Sequence, residues 1–321
     1  MAEAIILVVF ILISIFISFA IGGNDETFAT VHGSKILYMK EILILATILA
    51  IAGAFFLGRS VSETIGKDLL QLPSIDNALV MTILISTAIW LTVSSALGLP
   101  ISTTHATVGS IIGVGILLGG ITGVNWITIL EMSIWWLLSP VIGYIVTYFV
   151  YKLINKYIMR KLSGFKDVER SEKIFSYIIL GVICWTAFSR AGNDCSNAVG
   201  ILVGVGLNVN FVLIVTGISL AGGIIVLGRG VIKSVGNITE LMPSTAFASE
   251  IPTSIILFLG TILGIPLSGS HMLVASLVGL SKARRVPTKK GLWKIVAVWL
   301  LTFPMAAIVG ICIYFPLNFI F

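Results

Sequence analysis

The sequence predicts an all-α polytopic membrane protein, and three observations support this prediction. The chain has 321 residues, of which 57% are hydrophobic and only 11% charged, whereas soluble domains are about 45–50% apolar and about 25% charged. The apolar residues form continuous runs close to the length of about 20 residues that a spanning helix needs. These runs do not alternate apolar and polar residues, as the strands of a membrane β-barrel do. The composition excludes a soluble globular protein, a disordered protein and a nucleic-acid-binding domain.

Eight segments are long and apolar enough to be predicted as membrane spans. They cover approximately residues 4–21, 41–58, 78–97, 133–151, 174–190, 210–228, 252–265 and 295–315. Further apolar segments near 103–119 and 271–281 are too short or too rich in glycine to be assigned from sequence. The first span has no Lys or Arg before it and no A-x-A cleavage pattern, so we interpret it as a membrane helix rather than a signal peptide. The three cysteines have neither metal-ligand spacing nor the pattern of a disulfide framework.

The basic residues are concentrated in two segments. Thirteen of the 20 Lys and Arg residues fall within residues 152–173 and 282–294. Short segments rich in Lys and Arg remain in the cytoplasm, so we expect both segments on the cytoplasmic side. A binding patch for an anionic partner is the alternative interpretation.

Three sequence blocks recur in the same order at a nearly constant offset, which indicates an internal duplication. Residues 21–25 match 190–194, residues 58–66 match 228–236, and residues 98–105 match 264–271. We therefore expect a first transmembrane repeat over 1–151, a basic cytoplasmic linker over 152–173 and a second transmembrane repeat over 174–321.

Charge bias predicts that the two repeats have opposite orientations in the membrane. The basic segment 282–294 corresponds to about 116–128 in the first half, which contains no Lys or Arg. Conversely, Lys35 and Lys40 follow the first motif, whereas residues 205–210 contain no basic residue. Equivalent loops with opposite bias lie on opposite sides, so the repeats are inverted. This topology predicts both termini outside the cell and the linker inside.

Each half contains a Gly-Asn-Asp motif at the end of an apolar span. A carboxylate deep in a bilayer costs about 2.5–3.5 kcal/mol, so two equivalent aspartates favour a function over interfacial helix capping. The neighbouring glycines, Gly22, Gly23 and Gly192, permit a helix break at each motif. Carboxylate, amide and freed carbonyl oxygens are hard ligands of the kind that small cations need. The predicted cation ligands are Asn24, Asp25, Asn193 and Asp194.

Each half also contains a proline followed by clustered hydroxyl residues. Pro100 and Pro266 disfavour helix immediately before them, and Ser and Thr are good helix N-caps. Each motif predicts an extended stretch followed by a helix N-terminus. The free amides and the helix dipole, equivalent to about half a positive charge at that end, favour the binding of an anion. Two such termini from inverted halves would meet near the membrane midplane as a cage for a tetrahedral oxyanion, without a buried Lys or Arg. The predicted cage residues are Ser102, Thr103, Thr104, Ser268, Gly269 and Ser270.

Histidines end both hydroxyl clusters, His105 in the first half and His271 in the second. A histidine in such a place is more often a satisfied structural group than a ligand, and contact with substrate or a proton is the alternative. The hydroxyls also have an alternative role, because Ser and Thr can bond to the carbonyls of their own helix.

At these residues the chain resembles the inorganic phosphate transporter family, the PiT-type cation–phosphate symporters. Residues 23–25 and 192–198 are similar to the family's duplicated G-x-N-D-x-x-N-A signature, and 100–105 and 266–271 are similar to its Pro-x-Ser-x-[Thr/Ser]-His stretches. Phe28 replaces the second asparagine of the first signature, whereas Asn197 keeps it in the second and is a further candidate site residue.

The resemblance implies an inverted-repeat fold with broken helices and re-entrant hairpins that meet near the membrane midplane. It implies phosphate transport coupled to sodium or protons. We expect sodium-coupled symport of inorganic phosphate across the cell (plasma) membrane by alternating access, with phosphate, sodium ions and membrane lipid as partners. No cofactor and no nucleic acid is expected, and sodium is a co-transported ligand.

Three alternatives remain open from the sequence. The first is a permease that couples phosphate or sulfate to protons. The second is an intramembrane aspartyl protease with Asp25 and Asp194 as its dyad. The third concerns assembly, because Gly109-x-x-x-Gly113 is a helix-contact motif that serves either a homo-oligomer or packing within the bundle. The sequence has no P-loop of the form G-x-x-x-x-G-K-[ST], which disfavours an ATP-driven pump.

Overall fold

The computed structural model describes residues 2–96, 101–288 and 292–320, and within them the chain is helical. Eight helical segments of this part are long and apolar enough to cross a membrane, judged by length and composition. Seven of them overlap predicted spans. The eighth is Thr103–Gly123, which the sequence left unassigned, whereas the predicted span 78–97 corresponds to a shorter apolar helix. The prediction of an all-α polytopic membrane protein is therefore confirmed. Pro100 of the first hydroxyl motif and two predicted basic residues, Lys289 and Lys290, lie outside the described residues.

The first half begins with a spanning helix, followed by a short helix and a second long helix. These are α1 (Ala2–Gly23), α2 (Ala29–Gly33), α3 (Met39–Glu63), α4 (Asn77–Ala96), α5 (Thr103–Gly119) and α6 (Trp126–Tyr157). A π-helical turn, Thr64–Asp68, extends α3. The helices α4 and α5 pack against each other as a hairpin.

The second half likewise has three helices before its hairpin. Its helices are α7 (Phe165–Gly204), α8 (Val209–Gly223), α9 (Arg229–Gly236), α10 (Pro243–Ile262), α11 (Gly269–Arg284) and α12 (Leu292–Asn318). A π-helical turn, Ile224–Gly228, joins α8 to α9. The hairpin of this half is formed by α10 and α11.

Helix pairing follows the duplication and interlocks the two halves. Helix α1 packs on α8 as α7 packs on α3, and α5 packs on α12 as α11 packs on α6. A Cβ at Gly53 would lie 2.1 Å from the carbonyl oxygen of Phe188, and one at Gly223 would lie 2.0 Å from that of Phe19. These equivalent close approaches need glycine, so equivalent helices meet in the same way in both halves. The inverted repeats form one interlocked structure rather than two side-by-side bundles.

The two Gly-Asn-Asp motifs differ in backbone conformation. In the first half α1 ends at Gly23, and Asp25 turns back to accept hydrogen bonds from the amide (2.8 Å) and hydroxyl of Thr27. In the second half α7 continues unbroken through Gly192, so the predicted break there is wrong. The reason is the partner of the aspartate: Asp194 pairs with Arg190 one helical turn earlier, at 3.0 Å. A local Asx turn competes with helix, whereas an i,i+4 pair supports it.

The hydroxyl motifs open helices, as the sequence predicts. Ser102 and Ser268 have extended backbone and accept hydrogen bonds from the amides of His105 (3.2 Å) and His271 (3.4 Å). Both are therefore N-caps. The apolar segments that could not be assigned from sequence, near 103–119 and 271–281, are the helices α5 and α11 that these caps begin.

The predicted linker is largely helical. Helix α6 extends to Tyr157 and α7 begins at Phe165, so most of 152–173 belongs to these two helices. With 40 residues, α7 is about 60 Å long at 1.5 Å per residue, twice the roughly 30 Å of a hydrocarbon core. Its charged first turns must therefore project beyond the bilayer.

The Gly109-x-x-x-Gly113 motif packs inside the protein. A Cβ at Gly109 would lie 2.4 Å from the carbonyl oxygen of Phe303, and one at Gly113 would lie 2.5 Å from that of Ala307. Both contacts are with α12 of the same chain. The motif is therefore used within the bundle.

Cysteine labelling tests the predicted orientation. Ile121 and Phe319 are 75% and 89% exposed, and Ser163 is exposed beyond the other end of α6. In a Cys184→Ser/Cys312→Ser background, we expect Ile121→Cys and Phe319→Cys to react with an impermeant maleimide from outside. Ser163→Cys should react only after the membrane is opened, since positive loops stay inside. Labelling of Ile121→Cys and Ser163→Cys from the same side would contradict this topology.

Candidate functional site

The N-termini of α5 and α11 converge on a small buried cavity between the two halves. Thr104 on α5 donates a hydrogen bond through Oγ1 to the carbonyl of Leu267 (3.0 Å), which directly precedes the Ser268 cap of α11. The cavity has a volume of about 10 Å³, room for about one water molecule. Its walls are formed by Ile21, Asn24, Ile101, Thr103, Arg190, Asp194, Ser268, Gly269 and Ser270. The predicted meeting of two helix N-termini is thus present in the fold.

A buried arginine enters this cavity from α7. The Arg190 residue is 5% exposed, and its Nη1 donates to Glu26 Oε1 at 2.8 Å. Its Nε donates to Asp194 Oδ2 at 3.0 Å and lies 3.7 Å from Asp25 Oδ1. Its Nη2 donates to Ser270 Oγ at 3.3 Å. The prediction of a cage without a buried Lys or Arg is therefore wrong.

Glycine at position 269 lets the guanidinium approach the first turn of α11. A Cβ on Gly269 would lie 3.0 Å from Cζ and from Nε of Arg190. Contacts this short require a side chain to shift. Gly269 thus brings the guanidinium directly against the N-terminus of α11.

The predicted cage residues divide into two groups. Thr103, Ser268, Gly269 and Ser270 line the cavity. The side chains of Ser102 and Thr104 are used in the scaffold, as the α5 cap and as the bond to Leu267. The chain therefore brings together most of the predicted anion site, and its remaining hydroxyls hold the two hairpins in place.

The predicted cation ligands also fall into two groups, those near the cavity and one that belongs to the scaffold. Asn24 and Asp194 line the cavity, and Asp25 lies beside Arg190. The Asn193 side chain instead ties α7 to the segment before α11: its Nδ2 donates to the carbonyl of Ile265 (3.2 Å), and its Oδ1 accepts the amide of Leu267 (3.2 Å). Among the described residues, no three His, Cys, Asp or Glu side chains are arranged to hold a metal ion.

The candidate Asn197 supports the same junction. Its Nδ2 donates to Thr104 Oγ1 and to the carbonyl of Asn193, both at 3.3 Å. The two asparagines of the second signature thus link α7 to both hairpins.

The two histidines face a different space. His105 and His271 have ring centroids 4.9 Å apart and line an apolar cavity of about 940 Å³ together with Trp136, Trp299 and Phe303. Neither histidine is part of the wall of the small cavity. A structural role for these histidines stays a prediction.

Two site residues were not identified from the sequence. They are Arg190 and Glu26, which form the shortest ion pair of the site. A basic residue that ends an apolar span four positions before Asp194 was the available signal for Arg190, because residues at i and i+4 face each other on a helix. Glu26 could have been found as its counter-charge.

Removal of the Asn193 side chain should destabilise the protein. Asn193→Ala removes its bonds to Ile265 and Leu267 and leaves buried backbone groups without partners, which costs about 1–3 kcal/mol. We expect a lower melting temperature in detergent, whereas Asn210→Ala at an exposed position of α8 should leave it unchanged. Equal melting temperatures for the two variants would show that Asn193 is not a structural clamp.

Comparisons with known proteins agree with this architecture. A relative from Thermococcus kodakarensis named as a phosphate permease is 26% identical, with 95% of this chain and 96% of the relative covered. Inorganic phosphate transporter 2-1, chloroplastic, of Arabidopsis thaliana is 25% identical, with 94% of this chain and 70% of the relative covered. A solved structure described as the sodium-dependent phosphate transporter has a TM-score of 0.89 at 24% identity, with 98% of this chain and 100% of the other covered. That structure therefore has the same fold.

The sequence profile of the phosphate transporter family matches residues 21–310 of this chain. The match includes both Gly-Asn-Asp motifs and both hydroxyl motifs. Family and fold are those of a phosphate transporter and not of an enzyme, which excludes the aspartyl protease. The chain belongs to the phosphate transporter family.

Proposed function

We propose that this protein is a secondary active symporter that carries inorganic phosphate across the cell membrane together with sodium ions, by alternating access. One observation carries the proposal: hydroxyl-lined helix N-termini meet at a buried cavity, and Arg190 in its wall is surrounded by three carboxylates. The first feature suits an oxyanion and the second suits cations. The name of the solved structure with the same fold, the sodium-dependent phosphate transporter, supports sodium as the coupling ion.

The anion site is formed by the first turns of α5 and α11. Thr103 and Ser270 offer hydroxyl groups, and the free amides of each first turn add about half a positive charge. Hydrogen phosphate also carries a proton that needs an acceptor, and Asp194 in the same wall can accept it. Fully deprotonated sulfate has no use for such an acceptor, so the carboxylate favours phosphate.

The cation site is formed by the carboxylates around Arg190. Asp25, Glu26 and Asp194 face one guanidinium, which leaves two negative charges unbalanced when all three are ionised. Burying charge in a protein is costly unless it is paired, and an entering phosphate increases the imbalance. Phosphate therefore enters only with cations, and this requirement is the physical basis of coupling. Sodium ions held by Asp25 and Asp194, with Asn24 as an amide ligand, satisfy this requirement for cations.

The small size of the cavity supports alternating access. About 10 Å³ accommodates roughly one water, whereas phosphate has five non-hydrogen atoms and needs several times that room. The hairpins of the two halves must therefore move apart before the ion binds. Inverted repeats offer two equivalent movements, one that opens the site to each side of the membrane.

Radiolabelled phosphate uptake into proteoliposomes tests the function directly, with sodium and pH gradients imposed separately. An inward sodium gradient should drive uptake, and a pH gradient alone should not. Uptake driven by the pH gradient alone would identify proton coupling. Sulfate in excess should compete poorly with phosphate for uptake. Strong competition would indicate that sulfate is the transported anion.

Loss of a cavity hydroxyl should weaken phosphate binding. Thr103→Val keeps the side-chain shape and removes one hydrogen bond to a charged ligand, which is worth about 1.5–3 kcal/mol, or roughly 10- to 150-fold in affinity. Thr47→Val is the matched control, because Thr47 bonds to a carbonyl of its own helix α3 (2.7 Å) and lies outside the cavity wall. Equal phosphate affinity in both variants would show that Thr103 does not bind phosphate.

Loss of a carboxylate should weaken the sodium dependence of phosphate binding. Asp25→Asn and Asp194→Asn each remove one of the charges that attract sodium, and linkage between two ligands is reciprocal. Phosphate affinity measured against sodium concentration, at fixed ionic strength and pH, should show a shallower slope in both variants. Asp167→Asn at an exposed position of α7 should keep the wild-type slope.

Two outcomes of this titration would contradict the assignment. A wild-type curve that is flat in sodium would exclude sodium coupling. A sodium dependence of phosphate affinity as steep in the variants as in the wild type would show that these aspartates do not bind the cation. Their role would then be structural.

A further inference from the structure

Arg190 occupies the position between Asp25 and Asp194 that would otherwise hold a cation. Its Nε lies 3.0 Å from Asp194 Oδ2 and 3.7 Å from Asp25 Oδ1, and its Nη1 lies 2.8 Å from Glu26 Oε1. The guanidinium is buried, so water does not screen these charges. A cation covalently attached to α7 thus already stands at the centre of the proposed sodium site.

We propose that Arg190 is a resident cation of the transport site, which takes the place of one co-transported ion and binds the phosphate through its Nη2. The proposal rests on the phosphate site described above and adds a residue-specific role to it. Arg190 would remain with the protein through the cycle, whereas the sodium ions leave with the phosphate.

The hydrogen bonds of the guanidinium support a role beyond neutralising carboxylates. Nη1 and Nε are directed to carboxylates, but Nη2 donates to the neutral hydroxyl of Ser270 at a longer 3.3 Å. Hydrogen bonds to an ionised acceptor are shorter and roughly twice as strong as bonds to a neutral one. A phosphate oxygen in the cavity would therefore be a better partner for Nη2 than Ser270 is. Guanidinium also matches phosphate geometry with two parallel donors.

The approach to α11 supports the same conclusion. Gly269 lets the guanidinium lie against the first turn of this helix, where the helix dipole is positive. Two positive groups in contact repel each other, and an anion between them converts the repulsion into attraction. Both groups line the same cavity as Thr103 of the other half, so an anion there contacts all three.

A resident cation changes the coupling in a measurable way. With Arg190 present, one positive charge near the phosphate does not depend on sodium concentration. If the charge of Arg190 alone is removed, the site has one more unbalanced negative charge, and an additional sodium ion must balance it. If one carboxylate charge is removed with it, the net charge of the site is unchanged, and the phosphate loses only its hydrogen bond to the guanidinium.

The charge-balanced double variant Glu26→Gln/Arg190→Gln tests this inference. We expect phosphate affinity at fixed sodium concentration to fall roughly 10- to 150-fold, the effect of losing a hydrogen bond to a charged group. The slope of log affinity against log sodium concentration should stay at the wild-type value in this double variant, because its net charge is unchanged, and should increase by about one in the single variant Arg190→Gln. The matched control is Arg59→Gln/Glu63→Gln, which removes an exposed i,i+4 pair on α3 and should change neither quantity.

Two further variants keep the test decisive where the double variant does not fold. Arg190→Lys keeps the charge and loses the fork of donors, so phosphate affinity should fall about tenfold while the sodium slope stays at the wild-type value. Gly269→Ala displaces the guanidinium from α11 and should also weaken phosphate binding. Gly230→Ala is its control, because nothing lies within 4 Å of a Cβ at that position.

The outcomes separate this inference from the proposed function. Wild-type phosphate affinity in the folded double variant or in folded Arg190→Lys, or a wild-type sodium slope in folded Arg190→Gln, would overturn the role of Arg190 and leave phosphate transport intact. A wild type that binds no phosphate at any sodium concentration would remove the proposed function, and the role of Arg190 with it.

Discussion

The ion cluster around Arg190 holds together the parts of the protein that must act in concert. Glu26 lies in the break after α1, Asp194 on α7 and Ser270 on α11, and the guanidinium contacts all three. Removal of one partner from a buried ion pair leaves an uncompensated charge and costs about 3–5 kcal/mol. The cluster therefore fixes both repeats around one point, and any ion that changes its charge balance acts on both repeats at once.

The cluster also explains why two repeats with the same motif differ in backbone. The carboxylate of Asp194 bonds along its own helix to Arg190, and α7 continues. The first repeat has Ile21 at the position of Arg190, so Asp25 has no such partner on α1 and caps the turn at Thr27 instead. The two repeats thus differ in the partner that is available to the aspartate, and the helix breaks only in the first. The resulting break in the first repeat brings Glu26 to the guanidinium.

Much of the architecture could be predicted from sequence because it depends on local or repeated patterns. The spans follow from apolar length, the duplication from matched motifs, and the N-caps Ser102 and Ser268 from hydroxyl residues after a proline. The pairing of Arg190 with Glu26 could not be found in this way, since the two residues are 164 positions apart and come together only when the halves interlock. The division of the hydroxyls has the same origin: Thr104 bonds to Leu267 because of how the hairpins meet, and no local pattern encodes that contact.

In the proposed mechanism, electrostatics connects this geometry to transport. Helix N-termini alone attract an anion weakly and regardless of other ions, and carboxylates alone attract cations regardless of phosphate. Their presence around one cavity makes each ligand the counter-charge of the other, which is the condition for reciprocal linkage. In the role that we propose for Arg190, a guanidinium attached to α7 supplies part of this counter-charge permanently and raises affinity for phosphate without requiring another ion to be carried. In that mechanism, the number of carboxylates relative to resident cations at the site determines how many ions accompany each phosphate.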